Sequence, residues 1–332
     1  MSERYVVTRP FGGSGIGSNL LSLAGAVWLA GRLDRTVIVD WRGSDFLRDK
    51  SCNFFTEFFE PVGEIQGVPV RYAPVAEADE APGDAVAEVD APAAARIAET
   101  GSDMPFLVLT PFHGYERIER GGDPLEQFRR LRDFYEAIRP RPFVQREIDA
   151  FVERHRLDDT FVVAVNVATG NGDYARGGAF EGRVRVDIFE KEELFVRKLA
   201  RARAAALRRL PRPLREGALT FVATDAAFMR DILLRLPNAI TRRSVFPPHG
   251  VGRRFADYDV PGYTDRDAVV DILVDHELLA HCNAIIRNAS VYAVYGAVKT
   301  TYYNGNMRDL ETLYTRYRVS AVARRLRALA RR

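Results

Sequence analysis

The stretch RYVVTRPFGGSGIGSNLLSLAGAVWLAGRLDRTVIVDW, Arg4 to Trp41, sets the fold class. Arg4 to Thr8 alternates β-formers and reads as a strand. The glycine turn Gly12-Gly13-Ser14-Gly15-Ile16-Gly17 follows, then a helix to about Arg32 with Ser18 or Asn19 as its cap and Leu20, Leu23, Val27 and Leu29 among its buried residues. Thr36 to Trp41 is a second apolar strand. Strand, glycine turn, helix and strand make a βαβ unit, whose natural consequence is a parallel sheet. Working outward, Phe106–Thr110 reads as a further strand and Leu125–Ile138 as a helix stopped by Pro140. Arg139-Pro140-Arg141-Pro142 reads as a linker or crossover. Beyond it the alternation repeats: a helix over Val144–Arg156, a strand over Phe161–Asn166 and a basic helix over Lys191–Arg209. A strand over Thr220–Thr224 with a helix to Leu236, then a helix over Asp267–Cys282 and a strand over Asn283–Arg287, complete the series. The expected fold is α/β, with two Rossmann-like lobes and a cleft between them: an N-terminal lobe over 1–139, a second over 140–308, and an arginine-rich helix over 309–332.

Composition narrows the function classes. The chain has 332 residues, 47% apolar and 28% charged, enough for two folded lobes and too apolar for wholesale disorder. A net charge of +3 gives no footprint for nucleic acid as the main partner. Two cysteines, Cys52 and Cys282, make neither a disulfide framework nor a four-cysteine zinc site. MSERYVVTRP lacks the apolar core of a signal peptide, and no run of about 18 apolar residues is present, so a cytoplasmic protein without a membrane span is expected. Residues 75–99, rich in Ala, Pro and acids, read as a solvated surface excursion, with a lid as the alternative. The arginines of the 309–332 helix read as a solvated basic face.

Four constellations carry candidate chemistry. In the first turn, Gly15 and Gly17 let the backbone approach a phosphate or sugar oxygen at a helix start. A G-x-G-x-x-G fingerprint starting at Gly13 needs glycine at 18, which is Ser18, although Asp40 ends the second strand where a ribose-binding acid belongs. The second is the loop Asn166–Asp173, where Gly170 and Asn171 face a ligand and Asp173 or nearby Glu181 is the candidate general base. Third are Asp225 and Ser290, each following a strand at the same sheet edge, with helix capping as the alternative for Asp225. The fourth is RRSVFPPHGVGRR, Arg242–Arg254, whose guanidinium forks suit a diphosphate and whose turn holds His249, a further catalytic candidate. Metal chemistry is not expected. His276 and His281 resemble HExxH but stand five apart, and Asp257-Tyr258-Asp259 is too short a motif to carry a metal site. Neither a Walker loop nor a Gly-x-Ser-x-Gly elbow is present.

RYVVTR with its glycine turn, SNLLSLAGAVWLAGRLDRTVIVDWRGS (Ser18–Ser44) and FFEPVGEIQGVPV (Phe58–Val70) resemble the NodZ nodulation fucosyltransferases and their α1,6-fucosyltransferase relatives. Gly170-Asn171-Gly172, Ala223-Thr224-Asp225 and the segment 267–290 are similar in patches. The resemblance implies a GT-B fold and a metal-independent, inverting transferase that uses a GDP-sugar and no cofactor. It implies that Gly170 and Asn171 lie in the donor loop and that Asp225 and Ser290 lie at the nucleotide. Asp40-Trp41-Arg42, with Asp40 and Arg42 as acceptor-binding residues, belongs to the acceptor-side lobe. One departure stands out: the histidine and arginine of the family's donor loop are Asn166 and Ala168 here. Loss of a charge-assisted hydrogen bond costs roughly 1.5–3 kcal/mol, so Arg253 and Arg254 are expected to compensate. The expected function is glycosyl transfer from a GDP-sugar to a small molecule in bacterial natural-product assembly, with S-glycosylation of the lincosamide type as one form. The alternatives are a sugar-nucleotide binding protein without transfer and a nucleotide-dependent oxidoreductase.

Overall fold

The computed structural model describes residues 3–10, 15–74, 83–109, 124–167, 192–208, 210–246 and 260–287. These fall into two compact units: one lies within Met1–Glu147 and Arg253–Val274, the other within Ile148–Gly252 and Asp275–Arg332. The chain thus passes between units three times.

The first unit opens with β1 (Tyr5–Thr8), α1 (Ile16–Leu33) and β2 (Thr36–Val39). β1 and β2 run parallel in the register Tyr5↔Thr36 to Thr8↔Val39, the expected βαβ unit. Leu20, Leu23, Val27 and Leu29 of α1 are all buried. The cap differs from expectation: Gly15 is the N-cap, in extended backbone at φ −77°, and its carbonyl accepts from Ser18 N and Asn19 N. Ser18 and Asn19 therefore sit inside the first turn, and Gly15 occupies a conformation open to any residue.

A short aromatic helix, α2 (Phe54–Phe58), follows. Asn53 caps it through Oδ1 to Phe55 N, while its Nδ2 donates to Val39 O and Ala73 O. One side chain thereby ties the helix start to the ends of two strands. Trp41 packs on Phe54 and Phe55, and all three are fully buried. β3 (Glu64–Ile65) and β4 (Val68–Tyr72) form a hairpin on the two-residue turn Gln66-Gly67. Both turn residues have positive φ, 53° and 79°, as tight hairpin turns require.

Residues 83–100 depart from the expected excursion. They form β5 (Val86–Val89) and α3 (Ala91–Thr100), ahead of β6 (Phe106–Leu109). Asp90 caps α3 through its carboxylate to Ala93 N, Pro92 occupies the first turn, and Gly101 ends the helix at φ 79°. The capping residues are those of an ordinary helix, hidden by the acidic, alanine-rich composition. The first sheet has the order β3-β4-β2-β1-β6-β5, parallel except for the hairpin.

α4 (Pro124–Ala137) and α5 (Pro142–His155) flank the expected linker. That linker is anchored, not loose: Arg141 donates its backbone N to Phe58 O and its guanidinium to Thr56 O.

The second unit contains β7 (Val162–Val167), α6 (Glu192–Leu207), α7 (Arg212–Gly217), β8 (Leu219–Thr224), α8 (Ala227–Leu233) and β9 (Ala239–Ile240). Helix α9 (Asp265–Leu278) leads to β10 (Ala284–Arg287). The sheet order is β10-β7-β8-β9, all parallel. Strands covered on both faces read as continuous apolar runs, which is why TFVAT and NAIIR were legible. Val163, Val165, Leu199, Val222, Met229 and Ile286 form the centre of the core.

Candidate functional site

In an open parallel sheet, ligands bind beyond the carboxyl ends of the strands, where the chain's winding direction reverses. In the second unit that reversal is fixed by strand order. From β7 the chain winds outward to β8 and β9, then returns to place β10 on the other side of β7. The switch point thus lies between β7 and β10, with Asn166 and Arg287 as register partners at its rim. Asn166 is buried; its Nδ2 donates to Ala223 O at 3.2 Å, and its Oδ1 has no hydrogen-bond partner among the described residues. Thr224 Oγ1 donates to Val167 O at 2.7 Å, closing the gap between the ends of β7 and β8.

Asp225 follows β8 and is half-buried. It is not the cap of the next helix: Ala226 holds that position, in extended backbone and without a side-chain bond. Gly170, Asn171, Asp173, Glu181, His249, Arg253, Arg254 and Ser290 lie outside the described residues, as do Asp257, Asp259 and the 309–332 segment. Of these, Gly170 and Asn171 follow β7 in the chain, and Ser290 follows β10, the two strands that bound the switch point.

The first unit's carboxyl edge is arranged differently. Asp40, just past β2, is 6% exposed. Arg42 grips it with Nε to Oδ1 at 2.7 Å and Nη2 to Oδ2 at 3.1 Å, and Arg9 Nε stands 3.4 Å from Oδ2. A carboxylate so engaged is poorly placed to take ribose hydroxyls, which removes the main support for a nicotinamide site. Asp40 and Arg42 are brought together as one unit. Gly15 and Gly17 start α1 at this same edge. Nearby, Thr8 Oγ1 at the end of β1 and Trp41 Nε1 after β2 are buried without a hydrogen-bond partner among the described residues.

His276 and His281 do not form a joint site. His276 is fully buried, whereas His281 is partly exposed with Nδ1 3.7 Å from Asp158 Oδ1. Among the described residues no cluster of three or more metal-ligating side chains occurs, and no helix is long and apolar enough to cross a membrane.

Residues 2–97 match the family model of Nodulation protein Z (NodZ). Nodulation protein Z of Bradyrhizobium diazoefficiens is 30% identical over 202 residues, which span 54% of this chain and half the length of that relative. Nodulation protein Z of Sinorhizobium fredii is 28% identical over 321 residues, 86% of this chain and 87% of the relative. The similarity to NodZ thus runs along most of the chain. The crystal structure of NodZ alpha-1,6-fucosyltransferase co-crystallized with GDP matches 90% of this chain and 93% of its own at TM-score 0.63, with 21% identity. The fold is accordingly of the GT-B class, with an α/β unit in each half.

Two cations of this NodZ-like chain escaped the sequence analysis as individual candidates. Arg287 ends an otherwise apolar buried strand, and a charge at the carboxyl end of NAIIR was the signal available. Arg243 lies in the arginine segment that was recognised as a whole, and it is buried. No single-residue pattern announces a buried arginine.

Proposed function

We propose that the chain is a GDP-sugar-dependent glycosyltransferase whose donor lies on the second unit. The observation that carries this reading is the switch point between β7 and β10, from which the segments bearing Gly170-Asn171 and Ser290 depart. That the NodZ structure of the same fold was crystallised with GDP supports the choice of nucleotide. A nucleoside diphosphate leaves with added negative charge, and stabilising that charge is the main catalytic task. Ala168 supplies no cation, so the positive charge comes from elsewhere in the chain. Arg287, registered with Asn166 at the rim, joins Arg253 and Arg254 as a source.

The acceptor is assigned to the first unit's carboxyl edge. Asp40 is paired with Arg42 and approached by Arg9 there, and the unpartnered buried groups Thr8 Oγ1 and Trp41 Nε1 are neutral. Those neutral groups suit a hydroxyl- or thiol-bearing small molecule. Asp173, Glu181 and His249 remain the base candidates for a hydroxyl nucleophile; a thiol needs little base help. The enzyme is read as inverting, metal-independent and cytoplasmic, with a role in natural-product assembly. The absence of an arginine at Ala168 favours one second reading, a sugar-nucleotide binding protein without transfer.

Titration calorimetry with GDP, GDP-fucose, UDP and NAD, followed by turnover across an acceptor panel, tests both. GDP and GDP-fucose are expected to bind, and NAD and UDP are not. Binding of NAD without GDP overturns the donor assignment. GDP binding with neither hydrolysis nor transfer selects the second reading.

A further inference from the structure

Three arginines are buried among the described residues: Arg35, Arg203 and Arg243. A guanidinium carries five N–H donors and needs acceptors for them when it leaves water. Arg35 places Nη1 and Nη2 on the carbonyls of Tyr5, Met104, Pro105 and Ser102. Arg203 sets Nε on Thr220 Oγ1 and Nη2 on Ala218 O, both at 2.6 Å. Arg35 Nε is left without a partner, but each of these two guanidinium groups is spread over two or more acceptors of neighbouring elements and acts as a structural staple.

Arg243 is different. It is 4% exposed, and among the described residues its hydrogen bonding is limited to Nε on Val245 O at 3.0 Å. Its Nη2 is buried with no partner, and no carboxylate pairs with it among the described residues. Its guanidinium carbon lies 4.9 Å from the Phe246 ring centroid, and Arg230, held by Asp231, lies 5.2 Å from the same ring. The side chain is therefore fixed by one carbonyl and one aromatic face, with donors to spare.

Its position says what those donors meet. β9 ends at Ile240, level with Phe221 of β8. One residue on, Thr241 Oγ1 donates to Val222 O, so the chain still climbs beside β8. Continued for two more residues, that register would bring Arg243 level with Thr224, at the carboxyl edge. From β7 to the β9 side is two strand spacings, about 10 Å. That matches the reach of a nucleoside diphosphate whose phosphates sit at the switch point and whose base lies outward over β8 and β9.

We propose that Arg243 reads the base of the donor nucleotide, its spare N–H groups donating to O6 and N7 of guanine. Guanine presents two adjacent acceptors on that edge, which a guanidinium fork fits bidentately, whereas adenine presents one acceptor beside a donor. This assignment rests on the donor reading above and makes Arg243 a specificity-determining residue for it.

The test measures the affinities of GDP, IDP, 7-deaza-GDP, ADP and pyrophosphate for the wild-type chain and for Arg243→Lys and Arg243→Met, with thermal melts as a check on folding. Loss of a bidentate pair is expected to weaken GDP about ten- to a hundredfold. ADP and pyrophosphate should be unaffected by either substitution. On the wild-type chain, which needs no variant to fold, IDP should bind as GDP does and 7-deaza-GDP about tenfold more weakly. Equal binding of GDP and 7-deaza-GDP, or folded variants that bind GDP unchanged, overturns the assignment. So do variants that lose pyrophosphate in step with GDP, which would make Arg243 a phosphate ligand. A wild-type chain that binds no nucleotide overturns the donor reading itself, and this assignment with it.

Discussion

At the carboxyl edge of the first sheet, the buried carboxylate of Asp40 is held by Arg42 and approached by Arg9. At the corresponding edge of the second sheet, the buried guanidinium of Arg243 has no carboxylate among the described residues, and the buried amide of Asn166 keeps an open oxygen. Similar parallel sheets thus end in opposite ways. One edge meets its buried carboxylate with arginine and leaves only neutral buried groups unpartnered. The other keeps a charge uncancelled. Burying an uncompensated polar or charged group costs stability, so its retention is best understood as a site whose partner arrives from outside. A neutral acceptor on one unit and an anionic donor on the other are what that contrast predicts.

Three substitutions probe the contrast. The largest effect is expected from Asp40→Ala, which leaves Arg42 and Arg9 facing each other without their carboxylate. Charge-assisted bonds of this kind contribute about 2 kcal/mol, and the partly exposed partners keep the loss from going higher. Urea denaturation should register that loss while GDP affinity stays within about twofold; a large fall in GDP affinity would break the division of labour between the two edges.

A smaller effect is expected from Asn166→Ala. It removes one hydrogen bond to Ala223 O, about 1 kcal/mol, together with the open Oδ1. GDP affinity should fall about fivefold; undiminished affinity would mean that the switch point does not face the nucleotide. Smallest is a pH effect confined to the second unit. Burial, with the Arg154 charge second, pushes the His155 imidazole below its usual 6.5, where its ring packs tilted against Phe151 at 4.4 Å. A lowered folded value means that the stabilisation is complete above about pH 6.5 and fades as pH falls through the depressed value. The slope should stay under the one-proton ceiling of about 1.4 kcal/mol per pH unit, and His155→Phe should flatten it. An unchanged slope in that variant would assign the acid sensitivity elsewhere.

The fold was legible where burial on both faces leaves continuous apolar runs, as in β2, β7, β8 and β10. It was illegible where two-residue strands carry too little pattern, as in β3 and β9, and where composition concealed good capping chemistry, as in α3. The glycine turn placed α1 correctly, yet its cap was missed because Gly15 works through its backbone alone, without a side chain to announce it. At the candidate site, strand ends were predictable but partnerships were not. That Asp40 would be gripped by Arg42 two residues on, and that Arg243 would be buried while Arg230 paired with Asp231, depends on three-dimensional neighbours that no linear spacing encodes.

The order of strands in the second sheet also has a temporal consequence. β10 emerges from the ribosome last of the four, yet it pairs with β7, the first. More than a hundred residues must therefore be made before one wall of the switch point exists, and the closing contact spans a long loop. A nascent chain stopped before Ala284 carries β7, β8 and β9 but lacks the strand that flanks β7 on its other side. The second wall of the switch point is thus gained late in synthesis, by one short strand.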